Sequence, residues 1–417
     1  MKICISCRKK KLNKIIDIGK QPLSGIFHSK IRKNLKSYSL DLYKCKNCNL
    51  VQLGEMAKTE KMFGEDYGYS TSLSKLMVDH IKSKVKVIKK KFIDNKSHIL
   101  DIGSNDGTFL NQFNKSQYLV GIDPSAQKFK KKYKKNINLI VDFFSKNNLK
   151  KINLKFDLIT SFAMFYDVKN PGEFCADISK ILKKEGIWIL ELSYLPLMLK
   201  NLTYDQICHE HVAYYSLTTF KKIANRNGIK IIDYNINEIN GGSIEIFCSR
   251  KDSKRKIKKN KIKKILRDEN KINLRSYANF NKRINKVKKL LQMFLKLKSK
   301  KHIIAYGAST KGNIVLNHCE VKNSQIKEIC DGSKKKFLKF TPGTNIKIIS
   351  KEIMRKKKPD YLIVLIWSFR KEVIKQEINY LKNGGKLIFL LPRFHLVSLE
   401  NYKYYLKQSF KDLSYDY

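Results

Sequence analysis

Short apolar runs alternate with helical patterns over most of the chain after residue 95, and this alternation predicts an α/β fold. Between residues 96 and 250, five runs are short and apolar, as buried parallel strands should be: Ile99–Ile102, Tyr118–Ile122, Ile137–Val141, Phe156–Thr160 and Ile187–Leu192. Strand-like runs resume at 302–307, 361–366 and 386–391. The pattern therefore predicts two doubly wound units in one chain.

Two segments without strand patterns flank the first of these units. Residues 56–95 carry apolar side chains at helical spacing, as at Met77 and Ile81, and residues 251–297 are Lys-rich without Pro or Gly. The predicted organisation is a cysteine-bearing module at 1–55, a helical segment at 56–95, an α/β domain at 96–250, a solvated helical connector at 251–297 and a second α/β domain at 298–417.

The net charge of +51 changes this picture less than its size suggests, because the excess of Lys and Arg is spread along the chain. Solvated helix faces account for such runs, although a phosphate-bearing substrate would also benefit from the positive field. No apolar run approaches the roughly 20 residues that a membrane span needs. A cysteine pair stands where the apolar core of a signal peptide would be, so we expect a cytoplasmic protein.

Four cysteines form two Cys-x-x-Cys pairs, Cys4 with Cys7 and Cys45 with Cys48. Two such turns supply four thiolates, the ligand set of a tetrahedral zinc ion. Because all four positions are filled and none is open for water, we predict a structural zinc site. We expect most of the remaining five cysteines to be small buried hydrophobic residues.

The first predicted strand of the 96–250 domain runs into a tight turn that holds Gly103 and Gly107 and then into a predicted helix. The second strand ends at Asp123, twenty residues after Gly103. This layout predicts a nucleoside-cofactor site, because glycines let the backbone approach the ligand and the acid accepts from the ribose hydroxyls.

The charge of this turn indicates which cofactor it binds. Asp101 and Asp106 would repel a pyrophosphate but suit a cation, so the expected cofactor is S-adenosylmethionine, which carries an ammonium and a sulfonium and no phosphate. A structural turn in another α/β protein is the alternative. The predicted cofactor contacts are Asp101, Gly103, Asn105, Asp106, Gly107, Asp123 and Asp142.

A segment dense in proton-transferring side chains follows the fifth predicted strand, and it holds His209, Glu210, His211 and Tyr214. Histidines at i and i+2 do not share a helix face, so a metal site is not favoured. A histidine titrates near neutrality and can take a proton from a carbon that a carbonyl has acidified. The glutamate or a tyrosine could orient it or hold the enolate oxygen. The alternative interpretation of this segment is a structural, hydrogen-bonded loop.

The C-terminal unit contains a strand-to-helix turn from Tyr306 to Gly312. Its backbone N–H groups and the side chains of Ser309, Thr310 and Lys311 predict a phosphate cradle at a helix N-terminus. The spacing of a full phosphate loop is absent, so a plain turn is an equal alternative. The run from Asn240 to Ser243 predicts a hairpin turn.

Taken in order, these motifs resemble those of the three-part sugar C-methyltransferases that act on nucleotide-linked deoxysugars. The resemblance spans nearly the whole chain. It rests on both cysteine pairs, the turn at 101–107, His209-Glu-His211 with Tyr214 and Ser216, Gly241-Gly-Ser243, Tyr306-Gly-Ala308 with Lys311, and Pro342-Gly343. It implies an N-terminal zinc-binding module, a class I (Rossmann-like) methyltransferase domain that binds S-adenosylmethionine, and a C-terminal Rossmann-like α/β domain that binds substrate.

The reaction implied by the resemblance methylates a carbon next to a 4-keto group. His211 matches the base, Glu210 its acidic neighbour, Tyr67 or Tyr69 a tyrosine of the substrate pocket, and Lys311 a contact to the nucleotide diphosphate. His209 and Tyr214 complete the predicted catalytic set. Cys208 stands where such enzymes tend to have tyrosine, and a thiol is a poor substitute for a phenol in holding an enolate oxygen. Methylation at oxygen or nitrogen therefore stays open.

Three classes of function remain distinct at this point: C-methylation of a nucleotide-activated keto sugar, methylation of another small molecule or polysaccharide precursor, and modification or binding of nucleic acid. The chain has no Asn/Asp-Pro-Pro-Tyr/Phe segment, which argues against amino methylation of DNA bases. Salt-sensitive, tight nucleic-acid binding would identify the third class, and a non-catalytic scaffold would bind no cofactor. The expected partner is a small molecule and not a membrane, and the sequence predicts no oligomeric state.

Overall fold

The computed structural model describes residues 2–57, 62, 69–149 and 154–415. The N-terminal module contributes three antiparallel strands: β1 (Leu12–Pro22), β2 (Ser37–Cys45) and β3 (Val51–Leu53). Helix α1 (Lys75–Lys91) follows, and the side chain of Ser74 accepts a hydrogen bond from the Met77 N–H at its start. It buries Met77 and Ile81, in agreement with the helical spacing of this segment.

The central domain contains the next eight strands and three helices. The strands are β4 (His98–Ile102), β5 (Tyr118–Ile122), β6 (Ile137–Ile140), β7 (Phe156–Phe162), β8 (Leu182–Ser193), β9 (Ala213–Tyr214), β10 (Ile229–Asn237) and β11 (Ser243–Arg250). The helices are α2 (Pro171–Ile181), α3 (Leu195–Asn201) and α4 (Leu217–Arg226).

Seven of these strands form one sheet in the order β10-β11-β8-β7-β4-β5-β6. Strands β4 to β8 pair in parallel, whereas β11 runs antiparallel to both of its neighbours. This is the sheet of a class I methyltransferase, so the predicted fold class is confirmed. The predicted hairpin at Asn240 connects β10 to β11.

The glycine turn after β4 does not lead into an α-helix as expected. Gly103, Asn105 and Gly107 all adopt positive φ, and one carboxylate oxygen of Asp106 accepts the hydroxyl of Thr108, so turn geometry extends to residue 108. Only a single 3-10 turn, residues 110–112, follows before the polar residues from 114 onward end it.

The remaining elements lie after residue 258. Two helices come first, α5 (Lys259–Glu269) and α6 (Leu274–Leu297). The strands are β12 (Ile303–Tyr306), β13 (Glu328–Asp331), β14 (Lys347–Ser350), β15 (Tyr361–Val364), β16 (Lys386–Phe389) and β17 (His395–Val397). The helices between and after them are α7 (Thr310–His318), α8 (Lys351–Lys357), α9 (Arg370–Gln376), α10 (Ile378–Lys382), α11 (Tyr402–Lys407) and α12 (Phe410–Leu413).

The C-terminal sheet has the order β14-β13-β12-β15-β16-β17, and only β17 is antiparallel. In order of appearance this is 3-2-1-4-5-6, the order of a dinucleotide-binding sheet. The strand order reverses between β12 and β15, which run parallel, and the crevice at that point is where such sheets bind ligands.

Helix α6 corrects the expectation of a solvated connector. It buries one side chain every three or four residues, at Tyr277, Phe280, Ile284, Val287, Leu291 and Leu295, and these join the core of the C-terminal sheet and β1. The Asn281 amide also donates to the Ile15 carbonyl at 2.8 Å. Its lysines therefore cover only the opposite face of a helix that is part of the core.

Strand β9 brings the polar segment of the central domain to the N-terminal sheet. Tyr214 pairs with Val51, and Ala213 pairs with Gln52, so the sheet order is β1-β2-β3-β9. His211 immediately precedes this pairing region and is held where the three sheets meet. No helix within the described ranges is long and apolar enough to cross a membrane.

Candidate active site

A cavity of about 490 Å³, here named the cofactor crevice, opens at the carboxyl ends of β4, β5 and β7. Ligands bind at this edge in doubly wound sheets. Four of the predicted cofactor contacts line it, namely Asp101, Gly103, Asn105 and Asp123. The other three, Asp106, Gly107 and Asp142, are not among its lining residues; the Asp142 side chain is exposed and accepts the Phe143 N–H.

Asp123 organises the turn from the tip of β5. One carboxylate oxygen accepts the Asn105 N–H at 2.9 Å, and the other accepts the N–H and hydroxyl of Ser125, both at 2.6 Å. Each carboxylate oxygen has two lone pairs, so a buried Asp123 retains acceptor capacity toward the crevice. Gly103 is at φ +76°, and a Cβ there would lie 2.9 Å from Met164 Cγ, so the turn requires glycine.

Asp101 and Asp106 have different electrostatic states. Burial raises the pKa of Asp101 to about 7, against the opposing hydrogen bond that Thr160 donates at 2.6 Å. Burial also acts on Asp106, but hydrogen bonds from Ser70 and Ser72 outweigh it and lower the pKa of Asp106 to about 2. Asp106 is thus an ionised anchor for the segment that enters α1, and that segment contacts the crevice at Tyr69.

A second cavity of about 440 Å³, here named the acceptor cavity, lies beside the crevice. Tyr69, Met77, Ala163 and Asp167 line both. Its other walls come from the loop after β1, from the polar segment before β9, and from the turns after β12, β13 and β15. His211, Glu210, Tyr69 and Lys311 line this cavity, as does Cys208, whereas Tyr67 lies outside the described residues.

His211 faces the acceptor cavity in its neutral form. Its ring packs against Tyr166 with centroids 4.0 Å apart. Burial, together with the positive charge of Lys311, lowers the pKa of His211 to about 3. Burial raises the pKa of the neighbouring Glu210, and one of its oxygens is buried without a hydrogen-bond partner among the described atoms. The pair therefore offers a proton acceptor beside a carboxyl group.

The other two residues of the predicted catalytic set do not line either cavity. His209 contacts the Gln21 carbonyl at 3.1 Å and the Ser24 hydroxyl at 3.3 Å, both in the N-terminal module. The Tyr214 hydroxyl donates to the Gln206 carbonyl at 3.1 Å. These contacts hold the polar segment in place.

Two acids of the acceptor cavity, the buried Asp205 and the half-buried Asp167, were absent from the sequence prediction. Asp205 accepts the Trp367 indole N–H at 2.8 Å through one oxygen, and Asp167 ends a 3-10 turn shortly after β7. Each has one buried oxygen without a hydrogen-bond partner in the described structure. The signal for Asp167 was its place after the carboxyl end of a central parallel strand, where ligand-binding side chains gather.

The C-terminal wall of the acceptor cavity suits an anion. Gly307 is at φ +97°, and a Cβ there would lie 2.6 Å from Ile366 Cγ2, so the turn brings the backbone close to the next strand. The Ser309 hydroxyl accepts the Gly312 N–H at 3.0 Å at the start of α7. Lys311, Lys336 and Lys351 line this wall together with the acids Asp331 and Glu372, and the positive end of a helix adds to the ammonium groups.

The four predicted zinc ligands come together. The sulfur atoms of Cys4, Cys7, Cys45 and Cys48 all lie within 4.8 Å of one another, with Cys4 and Cys48 at 3.5 Å and Cys7 and Cys45 at 3.6 Å. A tetrahedral ion with Zn–S bonds of about 2.3 Å needs S···S distances of roughly 3.8 Å. The cluster therefore fits zinc. The other five cysteines are buried.

Comparison with protein families divides the chain into three parts. Residues 4–63 match a model described as "Putative zinc binding domain", residues 78–234 a methyltransferase domain, and residues 238–392 a C-methyltransferase C-terminal domain. The third match begins before β11, so it includes the antiparallel strand of the central sheet.

Individual proteins are similar to the chain over different lengths. The C-methyltransferase NovU of Streptomyces niveus is 25% identical over 399 residues, which covers 93% of this chain and 94% of NovU. An S-adenosylmethionine-dependent methyltransferase of Clostridium acetobutylicum is 17% identical, with a TM-score of 0.32, over 42% of this chain and 90% of its own. The PH0226 protein of Pyrococcus horikoshii is 14% identical, with a TM-score of 0.34, over 44% and 95%.

The three family matches follow the order of the three structural parts, and the NovU similarity runs through all of them. The cysteine cluster, the class I sheet and the C-terminal sheet lie in the matching segments. This chain is a methyltransferase that belongs to the three-part family of S-adenosylmethionine-dependent C-methyltransferases.

Proposed function

We propose that this enzyme methylates a carbon next to the keto group of a nucleotide-activated deoxysugar. The observation that carries the proposal is the arrangement of the joined cavities. His211 lies in a cavity that shares a wall with the cofactor crevice on one side and has the lysine-bearing turn of α7 on the other. An acceptor with an anionic end and a reactive carbon near the methyl donor suits this arrangement.

His211 is the proposed base. General-base catalysis requires the unprotonated form, which the low pKa of His211 provides at neutral pH. The same low pKa limits basicity, and the charge of Lys311 is one of its causes. A diphosphate bound at Lys311 would offset that charge, so we expect acceptor binding to raise the basicity of His211. The Tyr166 ring packs against one side of the imidazole.

Lys311, Lys336 and Lys351 are the proposed diphosphate contacts. They approach the cavity from the start of α7, from the segment after β13 and from the start of α8, so their positive charges converge from three elements. Such a field attracts a multiply charged phosphate more than a neutral acceptor. Tyr69, which is 46% exposed and lines both cavities, is a proposed contact to the sugar.

The cofactor and zinc have separate proposed places. S-adenosylmethionine supplies the methyl group from its sulfonium, and Asp123, Asp101 and the 103–105 turn would hold its nucleoside and cationic groups in the cofactor crevice. Zinc would be structural, because the cysteine cluster lies in the turns that enter β1 and β3. Its removal should destabilise the N-terminal module, whose loop after β1 forms part of the acceptor cavity.

Calorimetric titration with S-adenosylhomocysteine, with and without a thymidine-diphosphate 4-keto-6-deoxysugar, tests the proposal. We expect micromolar cofactor binding that the sugar nucleotide strengthens. With S-adenosylhomocysteine bound, the enzyme should also exchange the sugar proton next to the carbonyl for solvent deuterium. Cofactor binding that is indifferent to sugar nucleotides, without exchange, would favour another acceptor.

A further inference from the structure

The junction of the two cavities contains a half-buried carboxyl group that the chemistry above does not use. Asp167 lines both the cofactor crevice and the acceptor cavity. One of its oxygens is buried and has no hydrogen-bond partner among the described residues. A buried polar atom without a partner costs stability, and its position where methyl transfer must occur points to a partner on the ligand.

The proposed reaction needs a hydrogen-bond donor, and the hydroxyls of Tyr214, which lies outside the cavity, and of Tyr306 already have acceptors. Removal of a proton beside a carbonyl leaves negative charge on oxygen, and a preorganised donor stabilises it. The Tyr214 hydroxyl is used by the Gln206 carbonyl, and the Tyr306 hydroxyl lies 3.1 Å from Glu377. Cys208 offers only a weak thiol donor. Among these candidates, Tyr69 and Asp167 remain.

We propose that Asp167, held as the neutral acid, donates a hydrogen bond to the acceptor oxygen that becomes negative when His211 removes the neighbouring proton. This inference rests on the proposed function. Burial raises the pKa of Asp167 well above its usual range, and the negative charge of Glu210 adds to the effect. A carboxylic acid kept neutral in an apolar site can serve as such a donor.

The step balances with Asp167 keeping its proton throughout. The electron pair of the C–H bond moves into the carbonyl to give the enolate, and the proton passes to His211. The enolate carbon then bonds to the methyl group of the donor, whose methyl–sulfur bond breaks to leave a neutral thioether. The carbonyl re-forms, and the proton on His211 leaves to solvent.

The charges around Asp167 include groups that oppose the neutral form. Lys169 lines the crevice and Lys311 the cavity, and both favour an ionised carboxyl, as would the sulfonium of the bound donor. Glu210 faces the same cavity, while Asp101, Glu173 and Asp177 line the crevice and favour the neutral acid. The protonation state is therefore the decisive observable.

Infrared difference spectroscopy measures that state without turnover. Spectra of the wild-type protein and Asp167→Asn are compared at neutral pH, first with S-adenosylhomocysteine and then with S-adenosylmethionine. We expect the carbonyl band of a protonated carboxyl to disappear in the variant in both complexes, and to persist in Asp205→Asn, which removes a different buried acid of the same cavity. If the variant loses a carboxylate band instead, the proposal is wrong, and Asp167 is an ionised group that pairs with the cationic sulfonium of the methyl donor.

Kinetics then test the hydrogen bond itself, with a keto-sugar nucleotide that the wild-type enzyme methylates. Asp167→Ala should lower kcat about 100-fold or more, the usual effect of removing one such donor. Asp167→Asn should recover kcat to within about tenfold of wild type, because its amide N–H can donate. The KM for S-adenosylmethionine should change little in either variant.

Three kinetic results would overturn the assignment: full activity in Asp167→Ala, no advantage of Asn over Ala, or a 100-fold loss that follows Tyr69→Phe and not Asp167→Ala. The last result would make Tyr69 the donor. A wild-type enzyme that neither methylates nor exchanges any keto sugar would defeat the proposed function instead, and the infrared result would still decide whether Asp167 is a neutral acid.

Discussion

The two doubly wound sheets of this chain present ligand crevices that differ in their balance of charge. The cofactor crevice is lined by one lysine, Lys169, and by the acids Asp101, Asp123, Asp167, Glu173 and Asp177. The C-terminal wall of the acceptor cavity carries Lys311, Lys336 and Lys351 against two acids, Asp331 and Glu372, and Lys336 lies 3.5 Å from Asp331. The whole chain has a net charge of +51, so an acidic crevice runs against its composition. The contrast agrees with the two proposed ligands, a cationic cofactor and an anionic acceptor.

The two crevices share local geometry, and their sheets share the order of the first five strands. In both, an aspartate at the tip of the second strand accepts the N–H two residues later: Ser125 to Asp123 at 2.6 Å and Ser333 to Asp331 at 2.8 Å. They differ after the first strand, where the central domain has only a 3-10 turn and the C-terminal domain has α7. A helix N-terminus carries positive charge, which suits a phosphate and opposes a sulfonium.

The largest expected effect comes from the junction between the cofactor crevice and the acceptor cavity. His211→Ala should lower kcat by about 100-fold to 10,000-fold, because it removes the proposed base, while the dissociation constant of S-adenosylhomocysteine stays within about threefold. His209→Gln is the matched comparison, since His209 contacts neither cavity. Residual turnover of His211→Ala above roughly a tenth of wild type would show that His211 is not the base.

The acids of the cofactor crevice should destabilise the cofactor-free protein, and Asp101→Asn tests this. The pKa of Asp101 is about 7 when folded against an ordinary 3.8, so the folded protein holds a proton between these values that the unfolded chain releases. Wild-type stability from this group therefore falls as pH rises through that range. The variant should gain up to roughly 4 kcal/mol of unfolding free energy at pH 8 and less than half of that at pH 5.

Denaturant unfolding of the cofactor-free protein at both pH values measures this difference. Asparagine keeps the acceptor for the Thr160 hydroxyl, so the substitution changes charge with little change in shape. A gain that is equal at both pH values would mean that Asp101 is already ionised at pH 5 in the folded protein.

The two aspartates at the strand tips, Asp123 and Asp331, should each affect the binding of a different ligand, and substituting them separately tests this. Asp123→Asn should raise the dissociation constant of S-adenosylhomocysteine about 10-fold to 100-fold, the effect of weakening a hydrogen bond to a charged group. Asp331→Asn should leave that constant unchanged and should instead weaken the binding of thymidine diphosphate. Titration of both variants with both ligands gives the full comparison, and equal effects of each variant on each ligand would contradict it.

Local sequence patterns predicted the strands well, because a buried parallel strand is apolar along its whole length. Tyr118–Ile122 is observed as predicted, and Phe156–Thr160 extends by two residues to Phe162. The N-terminal cysteine cluster was also predictable, because its spacing is a property of the chain itself. The burial of α6 was not, since its apolar stripe does not reveal that β1 and the C-terminal sheet cover it.

The site was predictable by residue type but not by which side chains face the ligand. The resemblance singled out His211 as the base, but the residue types do not reveal that His209 faces away from the cavity toward Gln21 and Ser24. Asp106 carries the expected charge, but the Ser70 and Ser72 contacts come from 34 to 36 residues earlier in the chain. Asp167 belongs to no motif and becomes visible only where two cavities meet.

Neutralising the basic wall should affect the acceptor side alone. Lys311→Met should weaken the binding of thymidine diphosphate about tenfold at low salt. It should leave the binding of S-adenosylhomocysteine unchanged, because Lys311 lines only the acceptor cavity. It should also raise the pKa of His211, since the charge of Lys311 contributes to its lowering after burial. Calorimetry and histidine NMR measure the two effects, and an unchanged His211 pKa would mean that burial alone lowers it.

The smallest expected effect tests how the two crevices are coupled through the segment before α1. The Ser70 hydroxyl donates to Asp106 at 2.6 Å, whereas Ser72 reaches the same oxygen through its backbone N–H at 2.9 Å. Ser70→Ala therefore removes a hydrogen bond of about 1 kcal/mol that Ser72→Ala preserves. Because this segment leads from Tyr69, which lines both cavities, Ser70→Ala should weaken cofactor and acceptor binding about threefold to fivefold each, with Ser72→Ala nearer wild type. A loss confined to the cofactor would show that Asp106 serves its own crevice and that the acceptor cavity is held by other contacts.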